Sequence, residues 1–256
     1  PVAIFFAMSC ATTIYTNLDS VMLGFMATNA DVGYYGAAVK IKNILVSIVT
    51  SLGTVLLPRA AYYIEHQQMD EFKKLSRKAL NFVFIIASPM MIYFILFAKQ
   101  GIFFLSGDAF APAVVPMQLI MPTLLLIGIT NILGIQILVP LGYEKAVLVS
   151  EIVGAVIDLV VNALLIPVYQ SSGAAIGTLL AEFAVMVVQC IALKNEIKTA
   201  FSDIKYLKII LAIILASLAS FWVTALNLHV FITLVISAIL FFGVYGLVLI
   251  IMKEKL

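Results

Sequence analysis

The sequence has 256 residues, of which 64% are apolar (AVILMFWYC) and only 11% charged, with a formal net charge of +2. Soluble domains average roughly 45–50% apolar and about 25% charged, so this composition excludes an ordinary soluble domain. With no basic patch interleaved with exposed aromatics, it also excludes a nucleic-acid binder.

A bilayer core of about 30 Å needs about 20 apolar residues per helix. About eight stretches qualify, roughly 2–27, 33–60, 79–99, 113–139, 145–167, 173–194, 206–226 and 229–252. The expected fold class is all-α, a polytopic membrane helix bundle of about eight transmembrane helices. The chain opens at Pro1 and enters the first stretch at once, without an initiator Met or a basic leader. That is no signal peptide; it points to a longer protein whose N-terminal part is missing.

The first stretch carries Ser9, Thr12, Thr16 and Asp19 at steps of 3, 4 and 3. After the turn Thr28-Asn-Ala-Asp-Val-Gly33, the second carries Lys40, Asn43, Ser47, Thr50 and Thr54 at 3, 4, 3 and 4. This spacing places each set on one helical face. Lipid cannot satisfy such a face, so the hairpin reads as the wall of a solvated cavity. Residues 64–80 follow, with Met69, Phe72, Leu75 and Ala79 among Lys73, Lys74, Arg77 and Lys78. They predict a short amphipathic helix in the membrane interface, or else a solvated connector. Pro89 and Pro122 fall inside the third and fourth helices, and each should bend its helix.

The connections set orientation. Arg59, Lys73, Lys74, Arg77, Lys78, Lys145, Lys194, Lys198, Lys205, Lys208, Lys253 and Lys255 fall on one side, and the other side has Lys99. Basic residues mark the cytoplasmic side, which puts both ends of the segment in the cytoplasm. Tyr34, Tyr35, Tyr62, Tyr63, Tyr143, Tyr169, Tyr206 and Trp222 sit near predicted helix ends, as an aromatic belt does.

Five ionisable residues, Asp19, Lys40, Lys42, Asp158 and Glu182, fall about 15–18 Å from the outer turns at about 1.5 Å per residue. That is close to the bilayer centre, where an ion costs at least about 2.5–3.5 kcal/mol, so pairing is expected. Asp19 and Lys40 lie at matching depth on consecutive helices. They should pair, either as a cavity ion pair or as a structural pair that fixes packing. Lys42 points to the other side of its helix, toward the fifth helix or a neighbour. On the fifth helix Glu151, Gly154, Asp158 and Asn162 follow steps of 3, 4 and 4; on the sixth, Thr178 and Glu182 share a face. Asp158 and Glu182 are ion-coupling candidates, able to share a proton or hold a sodium ion. Interhelical hydrogen-bond glue accounts for the same residues. Three carboxylates against two lysines leave one negative charge, which a coupling Na+ or H+ would complete.

Gly173-Ala-Ala-Ile-Gly177 is a small-xxx-small pattern that favours a close helix contact. The last two helices carry no charge between Lys208 and Lys253 and have Asn227 and His229 at their turn; they look peripheral. Cys10 and Cys190 lie in apolar runs and offer neither zinc spacing nor a disulfide framework. No catalytic constellation, metal spacing or cofactor motif emerges.

Four stretches taken together resemble the polysaccharide-transporter branch of the multidrug/oligosaccharidyl-lipid/polysaccharide exporter superfamily, the Wzx-type flippases. They are Asn17-Leu-Asp-Ser-Val-Met-Leu-Gly24 with Val32-Gly-Tyr-Tyr-Gly-Ala-Ala-Val-Lys-Ile41; Val55-Leu-Leu-Pro-Arg59; Gly107-Asp-Ala-Phe-Ala-Pro-Ala113; and Asn162-Ala-Leu-Leu-Ile-Pro167 leading to Gly173-Ala-Ala-Ile-Gly-Thr-Leu-Leu-Ala-Glu182. The resemblance implies a C-terminal six-helix transporter lobe over 1–195, two additional peripheral transmembrane helices over 196–256, and a missing N-terminal lobe facing them across a central cavity. It implies a bacterial cytoplasmic-membrane protein that moves undecaprenyl-diphosphate-linked oligosaccharides by alternating access, driven by an ion gradient or the membrane potential. Its partners would be that lipid-linked oligosaccharide, membrane lipids and the other lobe. The family's seventh-helix acid falls on Asp19 and its cavity cations on Lys40 and Arg59, with Asn17 and Asn43 on the same polar surface. Val168-Tyr-Gln-Ser-Ser172 departs from the family, which often has a glycine-containing turn there.

Two other functions fit less of the sequence. A drug or metabolite:cation antiporter of the same fold calls for a more neutral, aromatic cavity. A membrane glycan polymerase or ligase needs a sizeable outer loop bearing acids, His or Arg, and the outer loops here carry only Asp31, Lys99 and Asp108.

Overall fold

The computed structural model describes residues 2–194, 201, 204–226 and 228–252, and its secondary structure there is entirely helical. The side chains of Ser9 and Thr54, the residues Lys198, Asn227, Lys253 and Lys255, and the expected boundary at 195/196 lie outside the described residues.

The first two helices are α1 (Val2–Met26) and α2 (Asn29–Glu65). The Thr28–Gly33 stretch, predicted as a turn, is mostly the first turn of α2. A capping box starts the helix early: the Thr28 hydroxyl oxygen accepts from the Asp31 N–H at 3.3 Å, and the Asp31 carboxylate accepts from the Thr28 N–H at 3.1 Å. At its other end α2 runs through Pro58 to Glu65.

A break at His66–Gln68, with Gln67 at φ 58°, leads into α3 (Met69–Leu96). The predicted interfacial helix is thus not a separate element; residues 69–78 are the first turns of α3. Their apolar face does not lie on lipid headgroups. Phe72, Ser76, Ala79, Leu80 and Val83 form one buried line, while Glu71 and Lys74 pair in solvent at 2.7 Å. Helix α3 continues through Pro89.

Short helix α4 (Ala98–Ser106), a 3-10 turn at Asp108–Ala113 and α5 (Val114–Ile120) follow. The chain breaks at Met121–Pro122, where Pro122 lacks the N–H a continuous helix needs. It resumes as α6 (Thr123–Asn131) and a π-helical segment, Ile132–Leu138. The two halves meet at 43°. Gly128 lets α6 settle against α2 and α3: a Cβ there would stand 2.8 Å from Val49 and 2.7 Å from Val83. Phe97, Ile102, Met117, Leu124 and Leu133, all fully buried, fill the core between these helices.

Helix α7 (Glu144–Ala192) is a hairpin folded at one residue. Gln170 adopts φ 46°, ψ −126°, and the arms 144–169 and 171–192 run back along each other. Gly154 lies against Val185, Asn162 against Gly177, and Ser150 bonds Gln189 at 3.3 Å. Gly173 and Gly177 both face the first arm, so the small-xxx-small pattern does mark a close contact. The arms pack mainly on α1.

Two last helices, α8 (Tyr206–Phe221) and α9 (Val230–Ile251), pack on each other and dock on α3. The Tyr93 hydroxyl donates to the Leu234 carbonyl at 2.9 Å, and the Tyr245 hydroxyl to the Ile85 carbonyl at 2.8 Å. Their outer faces expose Leu207, Leu218, Ile239 and Ile250 by about 70% each. Such a surface is soluble only in lipid. Five helices among the described residues are long and apolar enough to cross a membrane, six with the bent α5–α6 unit. The protein is a multi-pass membrane helix bundle; the eight crossings expected from sequence count the arms of α7 separately and add α1.

Candidate functional site

Three elements converge on Asp19, which is 3% exposed and lies on α1. Its carboxylate accepts from the Tyr35 hydroxyl of α2, from Asn162 Nδ2 on the first arm of α7 at 2.6 Å, and from Thr178 Oγ1 on the second arm at 2.9 Å. The Ala174 carbonyl, 3.0 Å away, is the alternative acceptor for Thr178. The Tyr35 and Thr178 oxygens are themselves 2.9 Å apart. A buried carboxylate needs such donors to replace its lost water.

One turn before Asn162 lies Asp158, which is fully buried. Neither of its oxygens meets a donor in good hydrogen-bond geometry, nor does Asn162 Oδ1, although Asp19 and Asn162 lie within reach of Asp158. Gly177 closes over these atoms: a Cβ there would collide with Asn162 and stand 3.2 Å from Asp158 Oδ1. Among the carboxylates, Asp19 acts on Asp158 more strongly than Glu182 does. Two adjacent carboxylates, one with donors and one without, call for a proton or a cation between them.

The predicted charge layer splits. Asp19, Asp158, Glu182 and Lys42 gather inside the lobe, and the carboxylates that act on Lys42 are Glu182, then Asp19 and Asp158. Lys40 is exposed on the opposite side of α2. Among the described residues no ion pair joins it to Asp19, so the expected Asp19–Lys40 pair is corrected. The reason is angular. At about 100° per residue, three positions fall about 60° short of a full turn, and Asp19 rotates off the Thr12–Thr16 stripe into the α7 interface. Asp158, for its part, meets Asp19 before Glu182.

What remains of the two stripes is an open polar face. Thr12, Thr16 and Asn17 of α1 and Lys40, Asn43 and Ser47 of α2 are exposed. Asn17 Nδ2 donates to the Thr13 carbonyl at 2.8 Å. Arg59, also exposed, lies one helix length away: its Nε donates to the Tyr63 hydroxyl at 2.9 Å, and its guanidinium lies 5.5 Å from the Tyr63 ring centre. It does not touch the Asp19 cluster.

Tyr35 is the site residue that the sequence misplaces, by assigning it to the aromatic belt. The Thr28-x-x-Asp31 capping box is the signal that finds it, because starting α2 at Asn29 carries Tyr35 into the interior. The departure at 168–172 also resolves: Gln170 takes the positive φ that a glycine would supply elsewhere.

Comparison with known proteins bears on this geometry. A family model described as polysaccharide biosynthesis protein matches residues 2–115. A putative O-antigen transporter of Escherichia coli K12 is 24% identical over 75% of this chain and 46% of its own length. The chain spans about half the length of the curated relatives it matches. Among solved structures, the lipid II flippase MurJ in an inward closed conformation aligns with TM-score 0.75 at 14% identity, over 97% of this chain and 53% of that one. An outward-facing multidrug resistance MATE family transporter of the MOP superfamily aligns with TM-score 0.61 at 13% identity, over 95% and 63%. At those identities the structures share the fold. The family match over residues 2–115, the curated relative and the shared fold together support a likeness to the polysaccharide exporter (MOP) superfamily.

Proposed function

We propose that this chain is the C-terminal part of a cation-coupled flippase that moves undecaprenyl-diphosphate-linked oligosaccharide repeat units across a bacterial cytoplasmic membrane. It works by alternating access and is a transporter, not an enzyme. Residues 1–195 form one lobe, 196–256 add two helices, and a second lobe of the same protein covers the polar α1–α2 face. Both ends of this segment are cytoplasmic, on the side of the basic connections.

The observation that carries the reading is the division of charge within one lobe. Asp158 lies buried and poorly satisfied beside Asp19, while Lys40, Asn43 and Asn17 stand exposed on the outer polar face. The inner group suits a small cation, Na+ or H+, held by Asp158 and Asp19 with Glu182 nearby. A sodium ion would take oxygens from Asp158, Asn162 Oδ1 and Asp19; a proton would sit between the carboxylates. The outer group suits the substrate, whose diphosphate needs cations and whose sugars need hydration. Arg59 stands at the end of α2 where the headgroup would load.

The test uses the whole protein in cells, with Lys40→Ala and Asp158→Asn at matched protein levels. Surface glycan should fall several-fold in each, with lipid-linked repeat units accumulating inside. Normal export in both variants would overturn the reading.

A further inference from the structure

The Asp158 cluster is not the end of the polar interior. Beyond it, toward the end of the lobe where α7 starts and finishes, lies a pocket of about 370 Å³. Thr12, Thr16 and Asn43, at its mouth, belong to the exposed α1–α2 face, and Glu151 and Gln189 line it deeper. The Thr12 hydroxyl donates to Glu151 Oε2 at 3.0 Å, so the mouth is tied to the first arm of α7.

Three features make this space wet. Its volume holds on the order of ten waters at roughly 30 Å³ each, and polar groups in a cavity wall hold water there, whereas a purely apolar cavity stays empty. Its walls carry acceptors that no protein donor reaches: Gln189 Oε1, on a side chain 3% exposed, and Asn131 Oδ1. Gln189 is held by its other end, Nε2 to Ser150 Oγ at 3.3 Å. Finally, the backbone is shaped around it. The π-helical segment Ile132–Leu138 supplies Gly134 to the wall, where a Cβ would stand 3.0 Å from the Gln189 amide. Single π turns inside α-helices are frequent at functional sites.

The pocket also touches the cluster. Glu182 and Lys42 line its inner end, and Glu182 lies one turn beyond Thr178, whose hydroxyl donates to Asp19. We propose that this pocket is a water-filled vestibule through which a monovalent cation passes from the α1–α2 face, past Lys42 and Glu182, to the Asp19–Asp158 cluster. The inference rests on the cation reading above and adds the route. In it the carboxylates and amide oxygens stabilise the moving cation, and Lys42 is the positive charge it must pass.

Two measurements test the route on the whole protein reconstituted in proteoliposomes. In a background with Cys10→Ser and Cys190→Ser, Thr130→Cys and Ile135→Cys place thiols in the pocket wall. A wet vestibule lets the cationic reagent MTSET modify them within about 100-fold of the rate at an exposed Ser47→Cys control; absence of modification in both overturns the proposal. Second, Val185→Trp, which fills the pocket, should slow exchange of radioactive sodium at least 10-fold while leaving its equilibrium Kd within 2-fold. Unchanged exchange with Val185→Trp overturns the route. Asp158→Asn separates the two ideas: lost sodium binding there keeps the cation site whatever the route, and normal binding there removes the site itself. If wild-type protein binds no sodium, the same variants are read by proton uptake after a pH jump, with the same 10-fold slowing expected.

Discussion

Two buried polar regions of this molecule use similar side chains to opposite ends. At the seam between α3 and α9, Tyr93 bonds the Leu234 carbonyl and lies 3.0 Å from Ser237 Oγ, and Tyr245 bonds the Ile85 carbonyl. Neither tyrosine hydroxyl is left without a partner, no ion pair crosses the seam among the described residues, and neutral hydrogen bonds with the packing of Tyr93 on Phe241 and Phe242 close the contact. At the α1–α2–α7 junction, Tyr35, Asn162 and Thr178 converge on Asp19, while Asp158 beside it meets no donor in good hydrogen-bond geometry and has only Asp19 and Asn162 in reach. A seam that only holds helices together leaves no buried group unmet. A junction that keeps a buried, poorly satisfied carboxylate bears a cost of several kcal/mol for a bare ion, and function is the usual reason for bearing it.

The sharpest way to break this contrast is to remove Asp19. Asp19→Leu strips the acceptor from three donors at once, at about 1–3 kcal/mol for each group left unsatisfied. The loss should be several kcal/mol in detergent unfolding without added cations, the largest effect of any single change in the lobe. A loss under about 1 kcal/mol would mean that the cluster is not the organised site described. Asp158→Asn should act in the opposite sense. It removes a charge while keeping the side chain's size, so cation-free stability should hold or rise, and any increase in Tm that sodium gives the wild type should vanish. Should Asp158→Asn instead cost as much as Asp19→Leu, Asp158 would belong with the structural polar groups.

The seam supplies the smaller, reference effect. Tyr93→Phe should cost about 1 kcal/mol, the net worth of an ordinary hydrogen bond, and Tyr245→Phe a similar amount. In both, the sodium-dependent Tm increase should persist in full. If Tyr93→Phe abolished that response, α9 would be coupled to the ion and the division between seam and site would fail.

Much of this contrast can be read in the sequence, but not its geometry. Composition and apolar run length give the membrane bundle, and the depth count assembles Asp19, Lys42, Asp158 and Glu182 in one layer. Depth along a helix is linear in residue number, so it survives small errors. Azimuth does not. Over the ten residues from Ser9 to Asp19 a stripe drifts by about 80° at about 100° per residue, enough to turn Asp19 from the open face into the α7 interface and separate it from Lys40. Element ends suffer likewise. Reading α2 from Gly33 instead of Asn29 shifts Tyr35 by a full turn, from the core to the membrane edge. The pocket is less legible still. Its wall depends on a π segment that no periodicity in Ile132–Leu138 announces, and on Gly134, whose neighbour Gln189 comes from another helix.

The α7 hairpin, which holds both ion candidates in place, turns on a residue poorly suited to its conformation. Gln170 sits at φ 46°, ψ −126°, where an L side chain crowds its own backbone and glycine does not. Pro167, just before it, and Gly173, just after, confine the reversal to this one position. Gln170 is exposed, so nothing packed is lost when its side chain is removed. Gln170→Gly should therefore raise stability by up to about 1 kcal/mol, the strain relieved outweighing the added freedom of the unfolded chain. The gain should be independent of sodium, because the arms keep their register at Asn162 and Gly177. A loss on this substitution would show that the conformation is not strained, and that the hairpin depends on what the Gln170 side chain contacts at the membrane edge.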